Sequence, residues 1–490
     1  MKIMKTSNKL LNTELNEKEK KGKIPFMKRI TVIFIVVSIL FNSVFAEEKV
    51  ANTESQMQTF TQNRDDFSVN QKNIIYGDDS YFFVRRIDYK CNKDYYVTSF
   101  YIPGESGSIQ WFDSKKQLIT SELTAGNLPM NSNLYIQTEE YSFLLGQAYN
   151  YKDMGKGTRT SIEKDRAPLN IKKEGDKWLI TYTYKQNEAH HGILWGAGSK
   201  DQLIDFSNES LVKIWAGYDL CNNARFCEDG YYYKSPSVYS PTGPDAFWRI
   251  PSMYLINAFV KTGGSLASEV ISNAMLVIAS DNLNEQGFFP TLPQNDWLKK
   301  DYDISSGYFD TRFNADTGET YLLAYREFNN PIFREIYIKM ADYYIYHALS
   351  NHYTIRSPGL KKGWLVQDFA HPQAIDNHVA LNHQLQAIHW FYLLYETEQD
   401  NQYLYIANLM LQGIKNTKEL WVMSNNNLEY AYMPNGTMGL VDYPYLTYND
   451  LFNVQLDLQR IKGERDVDLD YLMAHKKKWM DENGITNYKK

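Results

Sequence analysis

The stretch SGYFDTRFNADTGETYLLAYREFNNPIF, residues 306–333, predicts the architecture of the C-terminal half of this chain. Its first half is rich in aromatic and polar side chains, whereas apolar residues in its second half recur at the three-to-four-residue spacing of a helix. Asn329 and Asn330 followed by Pro331 predict the end of that helix and the start of another, because proline is well tolerated at the first helical position. A polar loop, an inward-facing helix and an antiparallel partner helix form the repeating unit of a helical toroid.

The same unit recurs along the chain after residue 245. Paired helical segments are predicted at 247–260 with 266–279, 317–328 with 332–349, 378–395 with 401–420, and 449–461 with 467–479. Long loops that carry Gly, Pro, Tyr and Asp separate the pairs, and loops of this length are usually functional. About four such hairpins predict an α/α toroid over residues 245–490, with a sugar-binding cleft where the loops gather.

Residues 74–216 show the period of β-structure instead. Short runs such as YYVTSFYI (95–102), SIQWF (108–112) and WLITYTY (178–184) alternate with turn clusters. They predict an antiparallel β-domain of barrel or sandwich type. A connection rich in Tyr, Pro and Ser, residues 217–244, leads into the helices. The predicted fold class is therefore α+β and multidomain, with an N-terminal antiparallel β-domain followed by a C-terminal α/α toroid.

The first 73 residues predict export followed by a tether. Residues 27–46, MKRITVIFIVVSILFNSVFA, have the basic start, apolar run and small-residue end of a signal, so residues 1–46 are interpreted as an export signal with Met27 as an alternative start. The apolar run is too short to favour a membrane-spanning helix, although an uncleaved anchor is the alternative. Residues 47–73 are polar and predict a flexible linker. We expect a secreted or cell-surface protein without a stable membrane span.

The composition favours carbohydrate over nucleic acid as the partner. Aromatic residues make up 15% of the 490 residues, with 38 Tyr and 10 Trp. Tyrosine combines a flat apolar face with a hydroxyl, which suits carbohydrate, although a tyrosine-rich core is an equally good explanation. The net charge of -6 argues against nucleic acid, and an acidic polymer would need a locally basic groove. The oligomeric state is not indicated.

The cysteines and histidines predict neither a disulfide scaffold nor a metal centre. Three cysteines are too few for such a scaffold, although Cys221 and Cys227 are close enough in sequence to pair. His378, His383 and His389 lie on one predicted helix, but the second points away from the others, and those two stand about 16 Å apart along the axis. We therefore expect no cofactor, with a calcium ion held by loop carboxylates as the alternative.

The candidate chemistry lies in the carboxylates, tyrosines and arginines of the predicted toroid loops. Any one of these residues could equally be a helix cap or a turn residue. The candidates for substrate binding are Tyr308, Asp310, Arg312, Glu319, Arg326, His371, Tyr443 and Tyr448.

The C-terminal half also resembles a known family in several motifs. These are GFFP (287–290), the stretch at 306–333, ALNHQLQAIHWFYLLYE (380–396) and YLTYNDLFNVQL (445–456). In their order and residue types they are similar to the C-terminal domain of the D-glucuronyl C5-epimerases, which process heparan-type chains. The resemblance implies a β-domain followed by an α/α barrel, and a uronate-containing polysaccharide as the substrate.

The resemblance also implies that tyrosines are the catalytic groups. Tyr445 matches one family tyrosine and Tyr430 matches another. At a third position this chain has Asp368 and Phe369 where the family has a Glu-Tyr pair, so one hydroxyl is missing. The catalytic candidates are therefore Tyr445, Tyr430 and Asp368.

Proton abstraction at C5 needs a cation and a base. Arg312 and Arg326 are the local candidates for neutralising the sugar carboxylate. A tyrosinate near an arginine can take the proton, because a positive neighbour lowers the pKa of the hydroxyl. Epimerisation needs a second group on the opposite sugar face, whereas β-elimination only needs a group that protonates the leaving oxygen. Fewer catalytic tyrosines would suit a polysaccharide lyase.

Two further functions fit the same residues. A glycoside hydrolase could use Asp310 with Asp368, or with Glu319, as acid and base across a glycosidic bond. A secreted glycan-binding protein could hold a chain in an aromatic cleft without cutting it. Fold alone does not decide among the epimerase, lyase, hydrolase and binding hypotheses.

Overall fold

The computed structural model describes residues 55–91, 93, 95–162, 167–185, 188–218, 224–251, 254–356, 359, 361–372 and 375–489. The predicted export signal at 27–46 and Cys221 lie outside these residues. Cys227 is buried and Cys91 is exposed, and both are free thiols. Among the helices of the described ranges, none combines the length and the apolar character needed to cross a bilayer.

The strands and helices follow in chain order. The strands are β1 Gln56–Asn63, β2 Phe67–Ile75, β3 Tyr81–Tyr89, β4 Tyr95–Pro103, β5 Gly107–Phe112, β6 Leu118–Glu122, β7 Gly126–Asn127, β8 Leu134–Thr138, β9 Ser142–Leu145, β10 Tyr149–Gly155, β11 Thr158–Ser161, β12 Asn170–Glu174, β13 Lys177–Lys185, β14 His191–Ser199, β15 Ala224–Cys227, β16 Gly230–Lys234, β17 Tyr239–Ser240, β18 Ala246–Ile250, β19 Gln294–Asn295, β20 Phe309–Asp310, β21 His352–Ile355, β22 Gly363–Val366, β23 Phe369–Ala370, β24 Val379–Ala380, β25 Glu429–Tyr432 and β26 Met438–Val441. The helices are α1 Glu209–Gly217, α2 Leu255–Thr262, α3 Leu266–Ser280, α4 Asp296–Tyr302, α5 Thr311–Phe328, α6 Pro331–Ser350, α7 Leu381–Glu398, α8 Asn401–Asn416, α9 Leu446–Lys462 and α10 Val467–Glu482, with a 3-10 turn at Lys418–Trp421.

The β-strands form a large antiparallel region, as the alternating runs predict. The largest sheet of the described residues has the order β15-β16-β18-β11-β10-β14-β9-β8-β5-β6, with β3, β2 and β1 branching from β14. A smaller sheet has the order β4-β13-β12-β7. Each face of the large sheet packs against its own apolar core. In β3, Phe83 belongs to one core and its neighbour Phe82 belongs to the other. The first core lies between the two sheets, and the second continues into the helices.

Several boundaries differ from the sequence-based expectations. The predicted linker contains β1 and most of β2, and every residue of β1 pairs with β2. Strand β1 is exposed along its whole length, so its sequence carries no apolar period, and its backbone ladder alone defines it. The predicted connection contains β15 and β16, and β18 occupies the start of the first predicted helix. The division at residue 245 therefore cuts through the large sheet, because β18 pairs with both β16 and β11.

The described helices include four antiparallel hairpins, α2 with α3, α5 with α6, α7 with α8 and α9 with α10. The predicted junction of α5 and α6 is confirmed: Asn329 takes a left-handed conformation at φ 50°, and Asn330 caps the helix that begins at Pro331. Helix α5 packs against α2 and α7, and α7 packs against α9. The first helices of successive hairpins therefore lie side by side.

Helix α5 begins six residues before its predicted start of residue 317, at Thr311. Its N-cap is Asp310, whose carboxylate accepts a hydrogen bond from the backbone N–H of Phe313 at 2.9 Å. Arg312 and Asp316, expected in a loop, therefore lie on the first turns of a helix. Their side chains are held on one face of α5, four residues apart.

Candidate functional site

A cavity of about 460 Å³ opens where the first turns of α5, α7 and α9 meet the strand pair β17–β19 and the start of α4. Its walls are largely aromatic, and its polar groups come from β19, β20, α5 and α7. The lining residues are Val238, Tyr239, Tyr254, Asn295, Trp297, Leu298, Tyr308, Asp310, Arg312, Phe313, Asp316, Phe369, Asn382, His383, Tyr430, Tyr443 and Leu446. Apolar walls with a few convergent polar groups are typical of a small-molecule site.

Asp310 is the carboxylate at the floor of this cavity. It lies on β20, which pairs with β23 so that Asp310 stands opposite Phe369. Its side chain is 5% exposed, and burial raises its pKa to about 7 against the opposing hydrogen bond from the Phe313 N–H, with the nearby Asp368 charge adding to the rise. This carboxyl is therefore poised to exchange a proton near neutral pH.

Arg312 is bound on several sides by the protein itself. Its Nε donates to Asp316 at 3.0 Å, and its Nη1 donates to Asp450 at 2.6 Å and to the carbonyl of Asn382 at 3.0 Å. Burial would lower the pKa of Arg312, but the two carboxylates raise it above its usual range, so the guanidinium stays charged. Burial raises the pKa of Asp316 to about 6, with Arg312 opposing the rise.

Asp368 lies directly behind the cavity wall. It is fully buried, and both carboxylate oxygens accept from the backbone N–H of Ala380 at 3.0 Å. Its Oδ2 is 3.3 Å from His378 Nε2 and 3.5 Å from His383 Nδ1. Asp368 itself does not line the cavity, but its neighbours His383 and Phe369 do.

His383 presents a neutral imidazole to the cavity. Its Nδ1 lies 2.9 Å from Thr311 Oγ1, which ties it to the first residue of α5. Burial lowers the pKa of His383 to about 4, although the Asp368 carboxylate opposes this. At neutral pH the ring is therefore uncharged, so one of its nitrogens donates a hydrogen bond and the other accepts one.

The cavity brings together five of the residues predicted from the sequence, Tyr308, Asp310, Arg312, Tyr430 and Tyr443. The ring centroids of Tyr430 and Tyr443 are 5.7 Å apart in an edge-to-face contact. Burial raises the pKa of Tyr430 well above its usual value, and the Asp368 charge adds to the effect. A tyrosinate at this position is therefore disfavoured.

The expected convergence of Tyr445 with these groups was wrong. Tyr445 precedes the first residue of α9, is 39% exposed and does not line the cavity. Tyr443, two residues earlier, does line the cavity although it is also exposed. The side-chain direction at the start of α9 depends on how this loop is packed, which the motif at 445–456 does not encode.

Four other predicted residues also lie away from this cavity. Glu319 is buried farther along α5, where it accepts from Gln386 at 2.7 Å. Arg326 lies in the last turn of α5 and donates to the Leu393 carbonyl. Tyr448 stacks edge-on against Tyr488, and His371 lines a neighbouring cavity. Glu319 and Arg326 lie too far along α5, since one helix turn moves a side chain by about 5.4 Å. Tyr448 and His371 are each two residues from a lining residue, so their side chains take other directions.

Sequence reasoning missed much of the aromatic wall. Tyr239 and Trp297 come from β17 and the first turn of α4, on two chain segments joined by the pairing of β17 with β19. Tyr254 comes from the segment before α2. No local sequence pattern predicts these contacts, because they arise from tertiary packing. Asp316, by contrast, is one of the carboxylates in the predicted loop of the stretch at 306–333, and it does line the cavity.

The described residues hold no group of three or more His, Cys, Asp or Glu side chains arranged to bind a metal ion. The two carboxylates that line the cavity are instead paired with a backbone N–H, for Asp310, and with Arg312, for Asp316.

Comparison with known proteins does not name a family. No family model matches the chain, and no curated protein matches it. Similar solved structures include a GH76 alpha-mannanase of Bacteroides thetaiotaomicron, at 16% identity and a TM-score of 0.34, covering 46% of this chain and 58% of that one. A D-mannose isomerase is similar at 15% identity and a TM-score of 0.35, covering 46% and 59%.

A cellobiose 2-epimerase of Bacillus thermoamylovorans is similar at 12% identity and a TM-score of 0.33, covering 47% of this chain and 57% of that one. The aligned part thus spans less than two thirds of the length of each of these proteins. TM-scores and identities this low establish no membership, so the function of this chain has to be argued from its own cavity.

Proposed function

We propose that this protein is a glycoside hydrolase that acts on a neutral glycan and uses Asp310 as its general acid. The observation that carries the proposal is the placement of Asp310, a buried carboxyl with a pKa of about 7, in an aromatic-walled cavity. Hydrolysis of a glycosidic bond requires a protonated group beside the leaving oxygen, and a carboxyl whose pKa is raised by burial supplies it at neutral pH.

Asp316 is the second carboxylate of the proposed pair. It lines the same cavity, and its pKa of about 6 leaves it mostly ionised at pH 7. In the proposed reaction Asp310 gives its proton to the glycosidic oxygen as the C–O bond breaks. A water molecule adds its hydroxyl to the anomeric carbon and gives its proton to Asp316. Solvent exchange then restores both carboxyl groups.

The charges of the cavity favour a neutral sugar over a uronate. Arg312 is the cation among the lining residues, and its donors are directed at Asp316, Asp450 and a backbone carbonyl. A sugar carboxylate would have to displace one of these partners and would meet the charge of Asp316. The aromatic faces of Trp297 and Tyr443 instead suit the apolar face of a pyranose ring.

The test is the release of reducing ends from α-mannan, xylan, laminarin and starch, with alginate and heparosan as uronate polymers. We expect activity on a neutral polymer, and a fall of about 10²–10⁴-fold in kcat for Asp310→Asn and for Asp316→Asn. An Asp481→Asn variant changes an exposed aspartate outside the cavity and should keep wild-type activity.

Two results would end the hydrolase proposal. One is full activity of the Asp310→Asn variant. The other is no release of reducing ends from any of the neutral polymers, with the protein folded by circular dichroism.

The uronate C5-epimerase and lyase hypotheses remain a second proposal, because Tyr430 and Arg312 do line one cavity. The raised pKa of Tyr430 and the exposure of Tyr445 count against them. Incubation of alginate and heparosan in heavy water distinguishes the two. Deuterium at C5 would favour an epimerase, and an unsaturated product absorbing in the ultraviolet would favour a lyase.

We also infer that the helical hairpins form an α/α toroid around this cavity. The inference is supported by the contacts of α2 with α5, of α5 with α7 and of α7 with α9. The first turns of α5, α7 and α9 all supply lining residues. Export by the segment at 27–46 stays a prediction.

A further inference from the structure

A second cavity, of about 480 Å³, lies beside the first. Phe369 lines both cavities, and its ring lies edge-on to Tyr308 at 5.7 Å and to His383 at 5.9 Å. On the paired strands β20 and β23, Asp310 lines the first cavity and Ala370 lines the second. One short strand pair therefore separates the two spaces. We call them the Asp310 cavity and the Tyr346 cavity.

The Tyr346 cavity is lined by rings and carboxamides. Tyr343 and Tyr346 of α6 have ring centroids 6.1 Å apart, and Tyr346 is 36% exposed. The carboxamides are those of Asn284, Gln286, Asn351, Gln367 and Asn377. Four of these carboxamides hydrogen-bond within the protein. Gln286 is exposed, and its carboxamide offers both donors and an acceptor to the hydroxyls of a sugar. The volume lies in the range of about 300–1,000 Å³ that is typical of small-molecule sites.

Charge selects the kind of ligand. The described residues that line the Tyr346 cavity include neither lysine nor arginine. His371 is its basic group, and burial lowers the pKa of His371, so it is neutral at pH 7. Asp376 is its carboxylate and accepts from Gln367 Nε2 at 3.0 Å. The described residues of the cavity therefore offer no lysine or arginine to pair with an anionic ligand. A neutral polyhydroxylated ligand could stack on the aromatic rings and hydrogen-bond to Gln286.

The wall between the cavities is held in place from the side of the Tyr346 cavity. Asn377 Oδ1 accepts from the backbone N–H of Phe369 at 3.0 Å, and Asn377 Nδ2 donates to the Phe369 carbonyl at 2.9 Å. The backbone N–H of Asn377 donates to Gln367 Oε1 at 3.0 Å. Both backbone polar groups of Phe369, its N–H and its carbonyl, are therefore hydrogen-bonded to Asn377. The wall between the cavities is thus preorganised before any ligand binds.

We propose that the Tyr346 cavity is a subsite that binds neutral sugar units of the same chain whose scissile bond lies in the Asp310 cavity. This inference rests on the proposed function. It adds that the substrate is a chain long enough to pass Phe369, with Tyr346 stacking on a sugar ring and Gln286 contacting its hydroxyls.

The test compares long and short substrates of the neutral polymer that the protein cleaves. We expect Tyr346→Ala to raise KM for the hexasaccharide about tenfold, which is the loss of one good contact, and to leave kcat/KM for the shortest cleaved substrate within about twofold. Gln286→Ala should act in the same direction. Tyr346→Phe should keep the wild-type KM, because the ring that stacks is retained.

Tyr95→Ala is the matched control, since Tyr95 is an exposed tyrosine of β4 outside both cavities. It should leave both substrates unaffected. If Tyr346→Ala changes neither substrate, or changes both equally, the subsite is refuted even though the hydrolase proposal stands.

A protein without hydrolytic activity would still test the subsite. In that case calorimetric titration of the wild type with the hexa- and disaccharides of the same neutral polymers replaces kinetics. Tighter binding of a hexasaccharide than of its disaccharide, lost in Tyr346→Ala, supports the subsite. No binding of any hexasaccharide refutes the subsite; in this case the absence of released reducing ends has already excluded the hydrolase proposal.

Discussion

Asp310 combines two roles that act on its proton in opposite directions. As the N-cap of α5 it accepts the Phe313 N–H, and this hydrogen bond favours the ionised carboxylate. Its burial and the neighbouring Asp368 favour the neutral acid, and they prevail. This helix cap is thereby the carboxyl of the cavity that we propose as the general acid.

At this scale we predict the pH dependence of the reaction. Asp316 must be ionised, so activity rises with pH through about 6, and Asp310 must be protonated, so activity falls through about 7. The profile of kcat/KM should therefore be a narrow bell between these values. The measurement is the release of reducing ends from the cleaved polymer over about pH 4–9, a range that extends beyond the pKa values of both carboxyl groups.

The Asp481→Asn protein should reproduce this bell, because its substitution is exposed and far from the cavity. A profile that stays flat between pH 5 and 8 would contradict the assignment of both carboxylates, since each expected limb lies about one decade of proton concentration inside that range.

At the scale of the elements, a glycine of α5 packs directly against a buried ring of α7. A Cβ at Gly318 of α5 would lie 2.2 Å from Cζ2 of Trp390, a fully buried ring of α7. Both helices carry cavity residues in their first turns, Arg312 on α5 and His383 on α7. The missing side chain of Gly318 thus sets the spacing of the two helices that form the site.

We predict that Gly318→Ala lowers the free energy of unfolding by about 1–3 kcal/mol, because overpacking outweighs the gain in helix propensity of up to about 1 kcal/mol. Urea denaturation followed by circular dichroism measures the change. Gly217→Ala is the matched control, since Gly217 ends α1 and has open space around its Cβ position.

The control should be neutral or slightly stabilising. If Gly318→Ala were as stable as the wild type, the close contact with Trp390 would not limit the approach of α5 to α7.

In the whole molecule one apolar core runs from the large sheet into the helices. It includes Phe82 of β3, Trp248 of β18 and Tyr321 of α5. Trp248 is 2% exposed, and its ring lies 5.1 Å from Tyr239 and 5.4 Å from Phe313, both of which line the Asp310 cavity. The β region and the helices therefore share both their core and one wall of the site.

We predict that Trp248→Ala costs about 3–5 kcal/mol of stability and also raises KM, because the two rings it supports lose their packing. Thermal unfolding and steady-state kinetics are the measurements. Ile180→Ala is the control, since Ile180 is fully buried in the core between the two sheets and touches neither cavity.

Ile180→Ala should lose about 2–5 kcal/mol of stability while keeping the wild-type KM. An unchanged KM for Trp248→Ala would show that the β region does not support the cavity wall.

Much of the local structure could be predicted from the sequence. The hairpin of α5 and α6, with Asn330 and Pro331 at its turn, and the alternation along β13 were correct because each depends on residues near in sequence. Most of the residues that line the cavity could not be predicted, because they come from segments distant in sequence. Tyr445 has the right neighbours in sequence but the wrong direction in space, whereas Trp297 has no motif and lies in the cavity wall.

The sequence by itself determined the helical hairpins, the antiparallel strands and a set of candidate groups that included Asp310, Arg312 and Tyr430. Side-chain period, caps and turn residues act over a few positions, so they can be read without the fold. Only the tertiary structure decided that β1 is a strand, that Asp368 is sealed behind Phe369 and that Asp310 holds its proton near neutral pH. These properties depend on which distant segments remove water from a group, and chain order does not specify that.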